Sequence, residues 1–111
     1  MRVDTYTASI YCGLKEGYDG KPHMGAEAGR ICGGYCDNAG LCVTVTDTHF
    51  IYTNGSERGV IVGLINYPRF PSTPATIRAH ALKLGELLKE GLGQKRITIV
   101  FPDETVMLGE K

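Results

Sequence analysis

The sequence has no excess of either charge, because twelve lysines and arginines balance twelve aspartates and glutamates. Non-specific nucleic-acid binding depends on counterion release by many cationic side chains, so this balance disfavours a general DNA- or RNA-binding protein. No apolar run approaches the ~20 residues of a membrane-spanning helix, and the first residues lack the apolar core of a signal peptide. We therefore expect a cytosolic protein without a membrane partner, built as a single domain over 1–111.

Metal-binding cysteine pairs are also missing. Four cysteines are present, but none forms the Cys-x2-Cys spacing that is typical of zinc sites. Reduced cysteines commonly behave as small apolar residues, so we interpret Cys12, Cys32, Cys36 and Cys42 as core residues. We expect no metal and no cofactor.

Catalytic motifs are absent as well. The segment 15–21 ends in Gly-Lys like a phosphate-binding loop, but Lys15 stands where the first glycine belongs and Pro22 replaces the magnesium-binding hydroxyl. Thr48 and His49 are adjacent in a predicted strand and point to opposite faces, so they cannot act together as nucleophile and base. The sequence therefore predicts no catalytic residue and a binding protein rather than an enzyme.

Hydrophobic periodicity predicts an α+β fold: an antiparallel sheet of about six strands with two helices packed on one face. The predicted helices span 26–38 and 74–91, and the predicted strands span 3–12, 41–46, 49–53, 59–66, 95–101 and 105–108. A turn is expected at Asp47, and Asn54-Gly55 predicts a type I′ hairpin turn.

The strand 59–66 is apolar on both faces. Val60, Val62 and Leu64 share one face, and Ile61 and Ile65 lie on the other. A strand with two apolar faces is either covered by two layers or buried against a partner subunit. Because only two helices are available, we expect that a second copy of the chain can cover the other face.

The start of the second helix has features that suit a phosphate. Thr73 is a predicted N-cap, and with Ser72 it offers free backbone donors at the helix N-terminus. Arg69 precedes the helix and Arg78 lies one turn inside it, and a guanidinium group matches phosphate oxygens. Phe70 or Tyr67 can supply a stacking face for a base. The alternative is a capped, solvated amphipathic helix that binds no ligand.

The run Gly-Val-Ile-Val-Gly-Leu-Ile-Asn-Tyr-Pro-Arg-Phe-Pro at 59–71, with Phe-Ile-Tyr-Thr-Asn-Gly at 50–55, resembles a phage Thoeris anti-defence family of signal sponges. Segments 6–11, 30–32 and 101–108 fit the same family. The resemblance implies a protein that sequesters cyclic ADP-ribose isomers made by TIR enzymes without degrading them. It also implies, for some members, cyclic di- and trinucleotides of the CBASS system bound at separate sites.

The resemblance further implies homodimers that assemble into hexamers in the cytoplasm of the infected bacterial host. The implied ligand contacts are Arg30 and Asn66 for the ADP-ribose isomer, and Arg69, Phe70, Ser72, Thr73 and Arg78 for cyclic oligonucleotides. Ser56 departs from the family, in which an aromatic residue is expected at the hairpin. Two rival functions stay open: an enzyme that degrades cyclic nucleotide signals, and a small nucleic-acid-binding module that uses Lys95 and Arg96. A third is a structural phage protein.

Overall fold

The computed structural model describes residues 1–16 and 20–109. Its elements are β1 (Thr7–Gly13), α1 (Gly25–Ala39), β2 (Thr44–Tyr52), β3 (Gly55–Ile65), α2 (Pro74–Gly91), β4 (Arg96–Val100) and β5 (Thr105–Gly109). The strands form one five-stranded sheet in the order β2-β3-β1-β4-β5, and each neighbouring pair is antiparallel. The predicted α+β class with two helices is confirmed, with one strand fewer than the six expected.

One face of the sheet is buried against both helices. Alternate residues of the three central strands point to the helices and are almost wholly buried: Ala8, Ile10, Cys12, Val60, Val62, Leu64, Ile97 and Ile99. The helices contribute Ala28, Cys32, Ile77, Ala81, Leu84 and Leu88 to the same core. Each large aliphatic side chain buried in this way stabilises the fold by about 1.5–3 kcal/mol.

Both helices end and begin where the sequence indicates. Thr73 caps α2, because its hydroxyl accepts a hydrogen bond from the Thr76 backbone N–H at 3.1 Å. α1 stops at Gly40, whose φ of 68° lies in the left-handed region that glycine adopts more readily than residues with a side chain. Neither helix is long and apolar enough to cross a membrane.

The turn predicted at Asp47 is wrong, and this error explains the missing sixth strand. β2 runs without interruption from Thr44 to Tyr52, and Asp47 pairs with Val60 of β3. The Asp47 carboxylate lies beside Gly25, the first residue of α1. A negative charge is favourable near a helix N-terminus, so an aspartate that reads as a turn residue is accommodated inside an edge strand.

The hairpin between β2 and β3 also differs from the prediction by one residue. Tyr52 pairs with Gly55, so the two loop residues are Thr53 and Asn54, and Asn54 alone has positive φ (64°). Gly55 belongs to β3, where the ring of Tyr52 occupies the space that a side chain would fill. The type I′ turn at Asn54-Gly55 is therefore not formed.

The cysteines divide into two groups. Cys12 and Cys32 are buried as predicted, and burial raises the pKa of their thiols to about 12 and about 11. Cys36 is half-buried, and Cys42 is exposed and donates to the Tyr67 hydroxyl at 3.5 Å. The prediction of core cysteines therefore fails for Cys42, which lies outside β2.

Leu84→Ala should lower the free energy of unfolding by about 2–5 kcal/mol, because Leu84 is fully buried between α2 and the sheet. Urea denaturation followed by circular dichroism measures the change. Leu87→Ala is the matched control on the same helix. Leu87 is 40% exposed, and its loss should cost less than about 1 kcal/mol. Equal losses would contradict the assigned buried face.

Candidate functional site

The second face of the sheet, called the open face below, carries no covering layer among residues 1–16 and 20–109. In register across it, Tyr11 of β1 lies between Ile61 of β3 and Thr98 of β4. Ile65 is 45% exposed and Val100 37% exposed on this face. The open face therefore offers exposed apolar side chains to a ligand or to a second copy of the chain.

A cleft of about 590 Å³ lies at one end of the open face. Its volume falls within the ~300–1,000 Å³ of small-molecule sites. The wall combines aromatic rings, one carboxylate, one amide and three cationic side chains: Tyr11, Phe50, Tyr52, Glu57, Gln94, Lys15, Lys95 and Arg96. This mixture suits a ligand that has both a flat ring and charged groups.

The aromatic part of the cleft comes from neighbouring strands. The ring centroids of Tyr11 and Phe50 are 6.5 Å apart, and the planes are tilted by 55°. Phe50 leans across β3 onto Gly59, where any β-carbon would collide with the ring. A glycine at position 59 is thus required for this aromatic surface, which can contact a base or a cation.

The carboxylate of the cleft belongs to Glu57, which pairs with Phe50 across the β2–β3 ladder and is half-buried. No ion pair to Glu57 occurs in the part of the chain that the structure describes. The same holds there for Lys15, Lys95 and Arg96. The cleft therefore holds charges of both signs that are available to a ligand.

His23, which precedes α1, forms hydrogen bonds to two carboxylates. Its Nε2 lies 2.7 Å from Glu16 Oε1, its Nδ1 contacts Glu27 Oε2, and the side chain is 10% exposed. Both ring nitrogens face carboxylates, which is the arrangement of an imidazolium. The hydrogen bond to Glu27, followed by that to Glu16, raises the pKa of His23. These contacts link Glu16, the neighbour of the cleft residue Lys15, to the first turn of α1.

Asn66, predicted as a ligand contact, has both ends of its amide occupied. Its Nδ2 donates to the Asp4 carbonyl and its Oδ1 accepts from the Ser72 backbone N–H, each at 2.9 Å. These bonds join the N-terminal segment to the start of α2. Asn66 also lines a second cleft of about 440 Å³, formed with Arg2, Tyr6 and neighbouring residues.

Arg78 has structural partners as well. Its guanidinium lies 2.6 Å from Glu104 and 3.4 Å from Asp103, and 4.2 Å above the ring of Phe101. Thr73, as the N-cap of α2, uses its hydroxyl within the helix. Both residues thus hold α2 in place. The Arg78 guanidinium already contacts two carboxylates and is not free to bind a phosphate at the helix N-terminus.

The remaining predicted residues are exposed. Phe70 packs on Tyr67 with ring centroids 5.3 Å apart, and Arg69 precedes it in the connector between β3 and α2. Arg30 lies on α1. The structure thus brings Asn66 and Ser72 into contact, with Arg69 and Phe70 in the same connector. Whether any of the seven residues contacts a ligand stays a prediction.

Sequence reasoning missed the cleft residues Tyr11, Phe50, Glu57 and Gln94. They come from three strands and one turn, so no short motif contains them. The available signal was the pair of glycines at 13 and 59, which the alternation of β1 and β3 places on the face opposite the core. Two glycines on the same face of neighbouring strands indicate a recess in the surface of the sheet.

Comparisons with known proteins show what shares this fold. No family model and no curated protein matches the sequence. Two solved structures match, each 14% identical. A phage SAM lyase in complex with S-methyl-5′-thioadenosine has a TM-score of 0.79 over 99% of this chain and 95% of that chain. A phage SAM lyase in the apo state has a TM-score of 0.77 over 96% and 90%. The likeness shows a shared fold.

These matches correct the assignment made from sequence. The prediction of a Thoeris signal sponge is wrong, because the structures that share the fold are of a SAM lyase. The predictions of sequestration without degradation and of a chain that is not an enzyme are contradicted by the same finding.

The stability of the protein should fall as the pH rises above the ordinary histidine value near 6.5. The pKa of His23 is raised in the folded state, so its contribution is complete below the unfolded pKa and is lost as the pH passes the folded pKa. Urea midpoints from pH 5.5 to 8.5 measure the effect. His23→Gln should flatten the slope and the exposed control His49→Gln should not; equal slopes would refute this role.

Proposed function

We propose that this chain is a lyase that cleaves SAM and releases S-methyl-5′-thioadenosine. One observation carries the proposal: the open face holds a cleft in which the Glu57 carboxylate lies among aromatic rings and cationic side chains that form no ion pair within residues 1–16 and 20–109. The fold supports it, because nearly the whole chain superimposes on a SAM lyase. SAM itself joins a flat base, a ribose, a sulfonium cation and an amino acid.

The order of side chains across the sheet fits the order of groups in SAM. Phe50 on β2 offers a ring to the adenine, and Glu57 on β3 lies beside it. Arg96 on β4 is three strand spacings from β2, or about 14 Å, and offers a guanidinium to the carboxylate of the amino-acid end. Tyr11 lies between these ends, where its ring can contact the sulfonium.

The reaction breaks the bond between the sulfonium sulfur and Cγ of the amino-acid part. The electron pair of that bond goes to sulfur, which becomes the neutral thioether of S-methyl-5′-thioadenosine. The substrate's own carboxylate oxygen forms the new bond to Cγ, so the four-carbon fragment leaves as a cyclic ester. Atoms and charge balance without water and without proton transfer. The cleft needs only to bind and fold the substrate.

The open face also supports the predicted association of copies. Ile61, Ile65 and Val100 form an apolar area that continues from the cleft. We propose that a second copy covers it; the dimer and hexamer expected from sequence stay predictions, as does the cytoplasmic location. Analytical ultracentrifugation measures the mass. Ile65→Lys should lower it, and a monomeric unaltered protein would contradict the association.

Incubation of the purified protein with SAM should produce S-methyl-5′-thioadenosine, measured by liquid chromatography with mass spectrometry. In H₂¹⁸O, the four-carbon fragment should appear first as an unlabelled cyclic ester. Later opening of the ester places ¹⁸O in its carboxylate. Label in the hydroxyl group would indicate direct attack by water and would exclude the lyase reaction. No thioadenosine product from folded protein would refute the proposed function.

Glu57→Gln should lower kcat/KM for SAM about 10- to 100-fold, because it replaces a charged hydrogen-bond acceptor by a neutral one. The matched control is Glu90→Gln, which makes the same change at an exposed position of α2. It should leave kcat/KM within about twofold of the unaltered protein. Equal rates for the three proteins would remove Glu57 from the site.

A further inference from the structure

Gln94 is the cleft residue whose orientation is fixed by the chain itself. It lies in the turn between α2 and β4, and its Nε2 donates to the carbonyl oxygens of Lys15 and Leu92, each at 3.0 Å. An amide nitrogen has two hydrogens, so both are used. Carbonyl oxygens only accept hydrogen bonds, and the alternative amide orientation is therefore excluded. The side-chain oxygen Oε1 is held on the opposite side, in the cleft.

Glu57 places a second acceptor group next to that oxygen. The point where a β-carbon of Gly13 would stand is 2.8 Å from Gln94 Oε1 and 3.4 Å from Glu57 Oε2. The two side chains therefore approach each other to within about 6 Å over Gly13. Among the described residues, neither oxygen accepts a hydrogen bond from a side chain. The space above Gly13 is thus bordered by acceptors that lack donors.

Two adjacent acceptors suit a ligand that presents two adjacent donors. We propose that Gln94 Oε1 and the Glu57 carboxylate together bind the vicinal diol of a ribonucleoside, with one hydroxyl donating to each. This inference rests on the proposed function, because it assigns the ribose of SAM and of S-methyl-5′-thioadenosine to the same cleft. Gln94 is then a specificity-determining residue of the reaction.

The neighbouring residues favour a diol over an ammonium group. Phe50 faces Glu57 across the ladder, so a base on that ring brings its attached ribose to Glu57. The ammonium group of SAM is bonded to the carbon that carries the carboxylate, and Lys95 and Arg96 lie at the β4 side of the cleft. Lys15, Lys95 and Arg96 line the same cleft, and their positive charges disfavour an ammonium group there, so the uncharged ribose hydroxyls are the donors that fit Gln94 and Glu57.

Gly13 is required for this arrangement. It lines the cleft, and the ring of Phe50 covers Gly59, which lies directly opposite it in the β1–β3 ladder. The φ of Gly13 lies outside the left-handed region, so alanine is compatible with the backbone there. The added methyl group of Gly13→Ala would stand 2.8 Å from Gln94 Oε1, so it would occupy the space of the diol and displace that oxygen.

Isothermal titration calorimetry of the unaltered protein tests the assignment with S-methyl-5′-thioadenosine and its 2′-deoxy and 3′-deoxy analogues. Each missing hydroxyl should weaken binding about tenfold or more, because one acceptor loses its donor. Gly13→Ala should weaken the parent compound to the level of the deoxy analogues. The control Gly63→Ala adds the same methyl group on the open face beside Thr44, away from Glu57. It should still bind the parent compound more tightly than the deoxy analogues.

The outcomes separate the two proposals. Equal affinities for the parent and deoxy compounds would overturn the diol assignment and leave the SAM reaction standing. No binding of any of the three compounds, with no cleavage of SAM, would overturn both. The variants Gln94→Leu and Gly13→Ala provide a further test. If Gln94→Leu cleaves SAM but binds the parent and deoxy compounds equally, while Gly13→Ala still binds the parent more tightly, then Gln94 acts only on the loop. That result would refute its contact with the ribose.

Discussion

The register between β1 and β3 is the constraint on which the molecule depends. It pairs Ala8 with Leu64 and Ile10 with Val62, and both pairs are buried under the helices. The same register necessarily pairs Gly13 with Gly59 and Tyr11 with Ile61 on the open face. A shift by one residue would exchange the two faces and expose the core. Burial of the apolar face therefore fixes the register, and the register alone sets the positions of the cleft residues on the open face.

Part of this arrangement follows from the sequence. Period-two alternation identifies the buried face of β3, and the Thr73 cap and 3.6-residue spacing identify α2. The continuity of β2 does not follow, because Asp47 is a turn residue by propensity and its position beside α1 is a tertiary effect. The predicted position of the hairpin turn is wrong for a similar reason. The Tyr52 ring covers Gly55, and this packing outweighs the local turn preference of Asn54-Gly55.

The site could be predicted less well than the fold. β1 lies between β3 and β4 in the sheet, so Glu57, Gly13 and Gln94 meet although they are far apart in the chain. Arg78 and Asn66 show the converse problem. Their side-chain types suit a phosphate or an amide contact, but sequence cannot show that Glu104 and the Ser72 N–H already occupy them. A residue type indicates a chemical capacity, and only the structure shows whether that capacity is used.

A sequence without a nucleophile and a base beside it predicts a non-catalytic protein only when the substrate is not already activated. A sulfonium centre carries its leaving group in activated form, so the protein need not supply either group. In the proposed reaction a positive sulfur and a negative carboxylate neutralise each other, and such charge loss is favoured where water is excluded. Beside the cleft, Ile61 and Ile65 lie on the part of the open face that no described residue covers. If a second copy closes that face, as proposed, the exclusion of water would lower the barrier to the proposed reaction, and assembly would then be linked to catalysis through the local dielectric.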